Sequence, residues 1–193
     1  MGSQLPRLIA LMLALILAGC ATGPTPTTRV SERPLVVLVS IDGFRADYLQ
    51  RGHTPVLAGL AADGTTAAMK PSFPTVTFPN HYTLVTGRHP DHHGIVGNAF
   101  DDAGLGRFSM ARTEPGWWSQ AEPIWITAEK AGLTAATMFW PGSETPHDGV
   151  MPHYWAPFDK TLDGDGRVDR LLGWLDQTPR PDVATLYFDL VDT

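Results

Sequence analysis

From Leu35 onward, short continuous apolar runs alternate with longer stretches in which apolar residues recur every three or four positions. Leu35-Val-Val-Leu-Val-Ser40 is an unbroken aliphatic and β-branched run, which predicts a strand buried on both faces of a parallel sheet. Pro55 to Asp63 carries Val56, Leu57 and Leu60 and meets a stop at Gly64, so a helix is expected there. Ala67 to Lys70 reads as a short strand, Asn80 to Thr86 as a helix, and Gly87 to Asn98 as a His- and Gly-rich loop. Glu122 to Ala131, halted by Gly132, predicts another helix leading into a strand from Thr134 to Phe139. Val168, Leu171, Leu172 and Leu175 form the stripe of an amphipathic helix turned to a sheet, and Val183 to Phe188 is a further strand. Such alternation implies an α/β domain, a largely parallel sheet flanked by helices.

This order places particular side chains at one edge. Asp42 and Asp192 fall just past the carboxyl ends of predicted strands, and Thr77 lies on a loop at the same kind of end, where open α/β sheets bind ligands. In Lys70-Pro-Ser-Phe-Pro-Thr-Val-Thr77-Phe-Pro-Asn80-His-Tyr, Pro79 suits a first helical turn, so the Thr77 hydroxyl would stand near a helix N-terminus that favours an anion such as phosphate. The same residues also read as a proline-rich turn whose threonines cap the helix. A threonine alcohol is a weak nucleophile without a base or a metal, and no Ser/His/Asp arrangement surrounds it. Three oxygen-bearing side chains at one edge suit a phosphate site built on divalent metal, with two ions about 4 Å apart serving the attacking and leaving oxygens.

Composition narrows the partners. A chain of 193 residues with 43% apolar and 18% charged residues is material for one folded domain. A net charge of -6 without a Lys/Arg run gives no support for binding nucleic-acid backbones, while a nucleotide remains possible as a local ligand. Arg7 precedes an apolar run from Leu8 to Ala18 that is too short to span a membrane, as in a secretory signal. It ends in Leu17-Ala-Gly-Cys20, which resembles the bacterial lipobox, and Cys20 is the only cysteine, so no intramolecular disulfide can form. An ordinary signal peptide with a chance cysteine is the other reading. The expectation is a lipoprotein signal peptide over residues 1–19, lipidation at Cys20, a Thr- and Pro-rich tether over 20–34 and the folded part over 35–193. Ala21, with no Asp after the cysteine, suggests an exported protein anchored to the outer membrane, on its periplasmic or surface side.

Five separated blocks carry a resemblance. Val39-Ser-Ile-Asp42-Gly-Phe-Arg45, the Thr77 segment running into Val85-Thr-Gly87, His89-Pro-Asp-His-His-Gly-Ile95, Glu122-Pro-Ile-Trp125 and Trp140-Pro-Gly-Ser-Glu144 together resemble the nucleotide pyrophosphatase/phosphodiesterase family of the alkaline phosphatase superfamily. The resemblance implies an alkaline phosphatase-like fold, two zinc ions, a threonine that forms a covalent phospho-enzyme, and cleavage of phosphodiester or pyrophosphate bonds in nucleotides or, in some members, lipids. Carried over residue by residue, it makes Thr77 the nucleophile and a zinc ligand, Asp42 a ligand of the same ion, and Asp192 the first ligand of the other. It makes Asn98 a donor to a phosphate oxygen, and Phe78 and Tyr187 the rings that sandwich a nucleobase. Local readings compete: Asp42 before Gly43 and Asn98 after Gly97 are good turn residues, and Phe78 and Tyr187 could be core aromatics. His89, His92 and His93 look like a metal cluster, but the resemblance gives them no zinc, and they and His81 are expected to order the chain by hydrogen bonding. Asp159 to Arg170 is not a calcium loop, because Arg170 stands where a bidentate Glu is required, and Asp163 to Gly166 reads as a turn.

The same comparison of motifs raises an expectation about completeness. In the family the aspartate matching Asp192 opens an Asp-x-x-x-His motif, and an Asp-His pair and a distal histidine supply further ligands. A truncated domain is therefore expected, with weak metal binding, little hydrolysis and an unpaired sheet edge. A phosphomonoesterase or phosphonate hydrolase is a close variant, whereas a sulfatase needs an arginine that Thr77-Phe-Pro-Asn80 lacks. A non-catalytic surface lipoprotein, a degenerate remnant of such an enzyme, is the reading of another class.

Overall fold

The computed structural model describes residues 33–192, so the signal peptide, Cys20 and most of the tether lie outside the described residues. Strand β1 (Val36–Ile41) runs into a 3-10 helix (Ala46–Gln50) and helix α1 (Pro55–Asp63). Helices α2 (Thr77–Thr86) and α3 (Pro90–His93) precede a hairpin of β2 (Ala99–Asp102) and β3 (Gly106–Ser109). Then follow α4 (Pro115–Trp118), α5 (Ile124–Lys130), β4 (Ala135–Met138), β5 (Tyr154–Ala156), α6 (Gly164–Leu175) and β6 (Val183–Phe188). Four strands form one sheet in the order β1-β6-β4-β5, and every pairing in it is parallel. The last strand in the chain thus lies between the first and β4, with Val36 opposite Val183 and Ile41 opposite Phe188. That register brings the ends of β1 and β6, and so Asp42 and Asp192, to the same edge.

The core is aromatic. Trp118, Trp125, Trp140, Tyr82 and Phe108 are almost wholly buried, together with all four residues of β4. Tyr82 satisfies its hydroxyl on the carbonyls of Trp118 and Ala121, so a polar ring can be buried at no hydrogen-bonding loss. Gly142 is required by this packing: at φ +87° it faces Trp118, and a Cβ there would lie 2.7 Å from the indole.

Four sequence expectations need correction. Ala67 to Lys70 is not a strand: its residues are exposed and pair with none of the described strands, and pairing rather than local propensity makes a strand. β1 is not covered on both faces, because it ends the sheet order and leaves Val36, Val37 and Val39 between 43% and 58% exposed. The stripe of α6 is rotated: Leu171 is buried, Val168 and Leu172 are exposed, and Arg167 points inward in their place. Asp163 to Gly166 is the start of that helix rather than a separate turn, with Asp163 at the N-cap accepting from the Gly166 N–H at 2.8 Å. The short helix α3 also interrupts the His-rich loop. Among the described residues, no helix is long and apolar enough to cross a membrane.

Candidate active site

Thr77 is the first residue of α2, and the helix begins without a side-chain cap at Val76. The threonine therefore does not serve as the N-cap. Phe78 N–H donates to Asn98 Oδ1 at 2.9 Å, Asn80 N–H returns to the Val76 carbonyl, and Pro79 has no N–H. The Thr77 N–H is left as the donor of this turn without a protein acceptor among the described residues. The bond from Phe78 also fixes the Asn98 amide, because its oxygen faces a donor and its NH2 is the other end of the group, and Asn98 and Thr77 line one cavity. Asn80 secures the proline-rich approach by donating to the carbonyls of Pro74 and Val76, each at 2.9 Å.

The carboxylates come from neighbouring strands. Asp42 N–H extends the ladder to the Phe188 carbonyl at 2.8 Å, and Gly43 turns the chain at φ +71°. A Cβ on Gly43 would sit 3.1 Å from Asp192 Cα, so only glycine permits so close an approach of the two loops. Asp42 accepts from Gly43 N–H on Oδ1 and from the Tyr187 hydroxyl on Oδ2, at 3.1 and 3.0 Å. Tyr187 is only 5% exposed, and burial, with Asp42 beside it, pushes its hydroxyl pKa well above the usual tyrosine value. Asp192 is exposed and lines both the cavity that holds Thr77 and the groove that holds Asp42.

His81 is close to this centre and serves as structure, as its sequence context suggests. Its Nδ1 lies 2.7 Å from the Thr77 carbonyl, which can only accept, so Nδ1 carries the proton and Nε2 accepts from Ser40 Oγ at 2.8 Å. Burial holds its pKa below the ordinary histidine value, which matches this neutral form. Both ring nitrogens are thus committed away from the Thr77 hydroxyl. His93 is fully buried, accepts from Ile95 N–H on Nδ1 and lies 3.0 Å from Thr83 Oγ1, whereas His89 and His92 are exposed. Among the described residues, no group of three or more His, Cys, Asp or Glu side chains could hold a metal ion.

The cavity in front of Thr77 has a volume of about 400 Å³, and Phe78, Asn98, Tyr187 and Asp192 all reach it. Sequence reasoning missed two of its walls. Phe158 is 45% exposed there, with its N–H held by Glu144 Oε1 at 2.9 Å, and Asp189 lies on the wall beside it. Phe158 falls between predicted elements, in Ala156-Pro-Phe-Asp159, and the signal that could have found it is an isolated ring in an otherwise polar loop.

With that geometry in place, comparison with known proteins is direct. Residues 36–193 match the family described as type I phosphodiesterase/nucleotide pyrophosphatase. The chain belongs to this family. Among phosphodiesterase relatives, an uncharacterized pyrophosphatase/phosphodiesterase of Schizosaccharomyces pombe is 42% identical over 81% of this chain and 34% of its own length. Bovine ectonucleotide pyrophosphatase/phosphodiesterase family member 3 is 40% identical over 90% of this chain and 21% of its own. A venom phosphodiesterase of Crotalus durissus collilineatus is 41% identical over 90% and 22%. The solved structure of murine ectonucleotide pyrophosphatase/phosphodiesterase 5 superposes with a TM-score of 0.78 at 34% identity, over 82% of this chain and 44% of that one. An inactive Thr→Ala variant of that murine protein, solved in complex with AMP, gives a TM-score of 0.79. The chain thus spans less than half the length of these phosphodiesterase-family proteins, and its fold is the α/β, alkaline phosphatase-like arrangement expected from the sequence.

Proposed function

We propose that the Thr77 site hydrolyses phosphodiester or pyrophosphate bonds of nucleotides through a covalent threonine intermediate. The observation that carries this reading is the first turn of α2, where Thr77 and Asn98 line one cavity and the Asn98 oxygen is taken by the Phe78 N–H, which leaves the Asn98 NH2 and the Thr77 N–H as donors for a ligand. Thr77 Oγ attacks phosphorus as the bond to the leaving oxygen breaks, the hydroxyl proton passes to solvent, and the leaving oxygen takes a proton from water. Water then cleaves the threonyl ester and restores the hydroxyl. Asn98 Nδ2 and the Thr77 N–H donate to the charge that grows on the phosphoryl oxygens. A helix N-terminus favours that charge further.

Asp42, Thr77 and Asp192 are proposed ligands of the two zinc ions, and their oxygens fit that chemistry, since each Asp42 oxygen accepts one protein bond and keeps a lone pair. Bound zinc would lower the pKa of the threonine hydroxyl and offset phosphoryl charge. Tyr187 then orients Asp42 from behind, as groups outside a ligand shell commonly do. We assign the nucleobase to Phe78 and either Tyr187, as the family resemblance implies, or Phe158, since all three line the cavity and Phe158 is the more exposed of the last two; AMP in the murine neighbour supports a nucleotide here. Asp42 and Asp192 are the carboxylates proposed for this centre, and among the described residues no group of three or more His, Cys, Asp or Glu surrounds it, so zinc held by these residues alone is expected to be bound weakly. Export and lipid anchoring through Cys20 to a bacterial outer membrane complete the proposal.

The test is zinc-dependent release of p-nitrophenolate from thymidine 5'-p-nitrophenyl phosphate. Thr77→Ala should bring the rate to background with an unchanged melting temperature, while Thr77→Ser keeps a measurable part of it. An alanine variant as fast as the unsubstituted chain removes Thr77 from the mechanism.

A further inference from the structure

Arg167 is an arginine where the pattern of α6 calls for an apolar residue, and it is 1% exposed. Burying a guanidinium is costly unless its donors are used, and here Nε and Nη1 are. Nε donates to the Leu162 carbonyl at 3.1 Å, and Nη1 donates to the Tyr187 carbonyl at 3.2 Å and to Asp189 Oδ1 at 2.9 Å. The plane of the group lies over two rings, with Cζ 5.1 Å from the centre of Phe139 and 5.8 Å from that of Phe158. Phe139 itself is held at φ +62°, a conformation that a phenylalanine adopts only when its surroundings impose it.

These contacts have a common direction. Phe139, Phe158 and Asp189 all line the cavity in front of Thr77, but they come from the end of β4, the loop before α6 and the turn after β6. Asp189 also begins the turn that delivers Asp192, whose N–H donates to the Asp189 carbonyl at 3.2 Å. One guanidinium therefore ties together three chain segments that line this cavity. Helix stability alone does not call for this, since Arg167 bonds only to groups outside α6.

We infer that Arg167 is a positioning residue for the substrate cavity: it holds Phe158 and the Asp189–Asp192 turn in the relation that a nucleoside needs. The inference rests on the nucleotide reading given above, but its test does not pass through Thr77 or zinc. Adenosine carries no phosphate, and Trp118 and Trp140 line the cavity, so adenosine binding is followed by quenching of tryptophan fluorescence in the full chain. Arg167→Met keeps the bulk and removes the fork. It should weaken adenosine binding by about tenfold or more, a loss in the range of one cation–π contact plus charged hydrogen bonds. Leu171→Ala, one turn further along the same helix and also buried, controls for destabilisation: it should lower the melting temperature at least as much and leave adenosine affinity unchanged. An Arg167→Met protein that binds within about twofold of the unsubstituted chain overturns the inference. So does an equal loss in Leu171→Ala, or an unsubstituted chain that does not bind adenosine. Loss of hydrolysis in Thr77 variants with adenosine binding intact leaves the inference standing, so the two readings fail separately.

Discussion

Tyr187 is the residue to which the structure adds a second candidate role beside the one its sequence context suggests. As a ring at the end of a strand before a pair of aspartates it fits a nucleobase platform, but its hydroxyl is spent on Asp42 Oδ2 and its ring stands edge-on to His81 at 4.9 Å. Tyr187→Phe discriminates between the two roles, because phenylalanine keeps the ring and loses the donor. Zinc affinity, measured by competition with a chelating dye, should fall by about tenfold, the lower end of what removal of an orienting partner costs. An unchanged zinc affinity would return Tyr187 to the substrate wall. Asp42 and Thr77 were legible as candidates at one sheet edge, an aspartate before glycine after an apolar run and a hydroxyl before Phe-Pro-Asn, whereas Asn98 reads locally as a turn residue and drew its proposed role from the family resemblance. Phe158 and Arg167 were not legible, because their significance lies in contacts with each other and with Phe139, Tyr187 and Asp189, which a helical arginine does not report and an isolated ring in a loop only hints at.

Among the elements, the helices carry separate stabilities that can be tested apart from the chemistry. α3 and the loop after it depend on His93, whose burial holds its pKa down to about 4 from an ordinary 6.5. The unfolded chain therefore binds a proton at this site that the folded chain refuses between those two values. The stability contributed is fully present above pH 6.5 and is lost as pH falls through that window, on the order of 3 kcal/mol from His93 alone. His81 and His147, also held low by burial, act in the same direction. Urea denaturation at pH 7.0 and 4.5 should show that loss, and a flat profile would mean that His93 is protonated at no cost in the fold. At α6, Asp163→Ala removes the one side-chain cap bond of the helix and should lower stability by about 1 kcal/mol, which corresponds to roughly 2–4 °C in a thermal melt. A variant that melts with the unsubstituted chain would show that water replaces the cap without loss. The span of α1 was readable from its stop signal and matches Pro55 to Asp63 at both ends, whereas α2 begins at Thr77 rather than Asn80, α6 begins inside the expected turn, and α3 and α4 were not foreseen. The face of α6 was not readable, since periodicity ranks residues by polarity and cannot foresee a buried arginine that bonds to Leu162, Tyr187 and Asp189.

At the scale of the molecule, the alternation of strands and helices was enough for the sheet class and for the edge at which the site forms. The order β1-β6-β4-β5 was not legible, because crossover lengths do not state which neighbour a strand will take. That order is what matters for function: by placing β6 beside β1 it sets Asp192 against Gly43 and lets Tyr187 reach Asp42. The family assignment then joins this edge to phosphodiester chemistry, and the claim on which everything else depends is that Thr77 becomes covalently attached to phosphorus. A single-turnover reaction with zinc and thymidine 5'-p-nitrophenyl phosphate, quenched in acid and analysed by peptide mass spectrometry, tests it without requiring fast turnover. A thymidylyl adduct on the peptide containing Thr77, formed in step with p-nitrophenolate release and missing in Thr77→Ala, is the result predicted; p-nitrophenolate release without any adduct on that peptide, or an adduct on another residue, would contradict it.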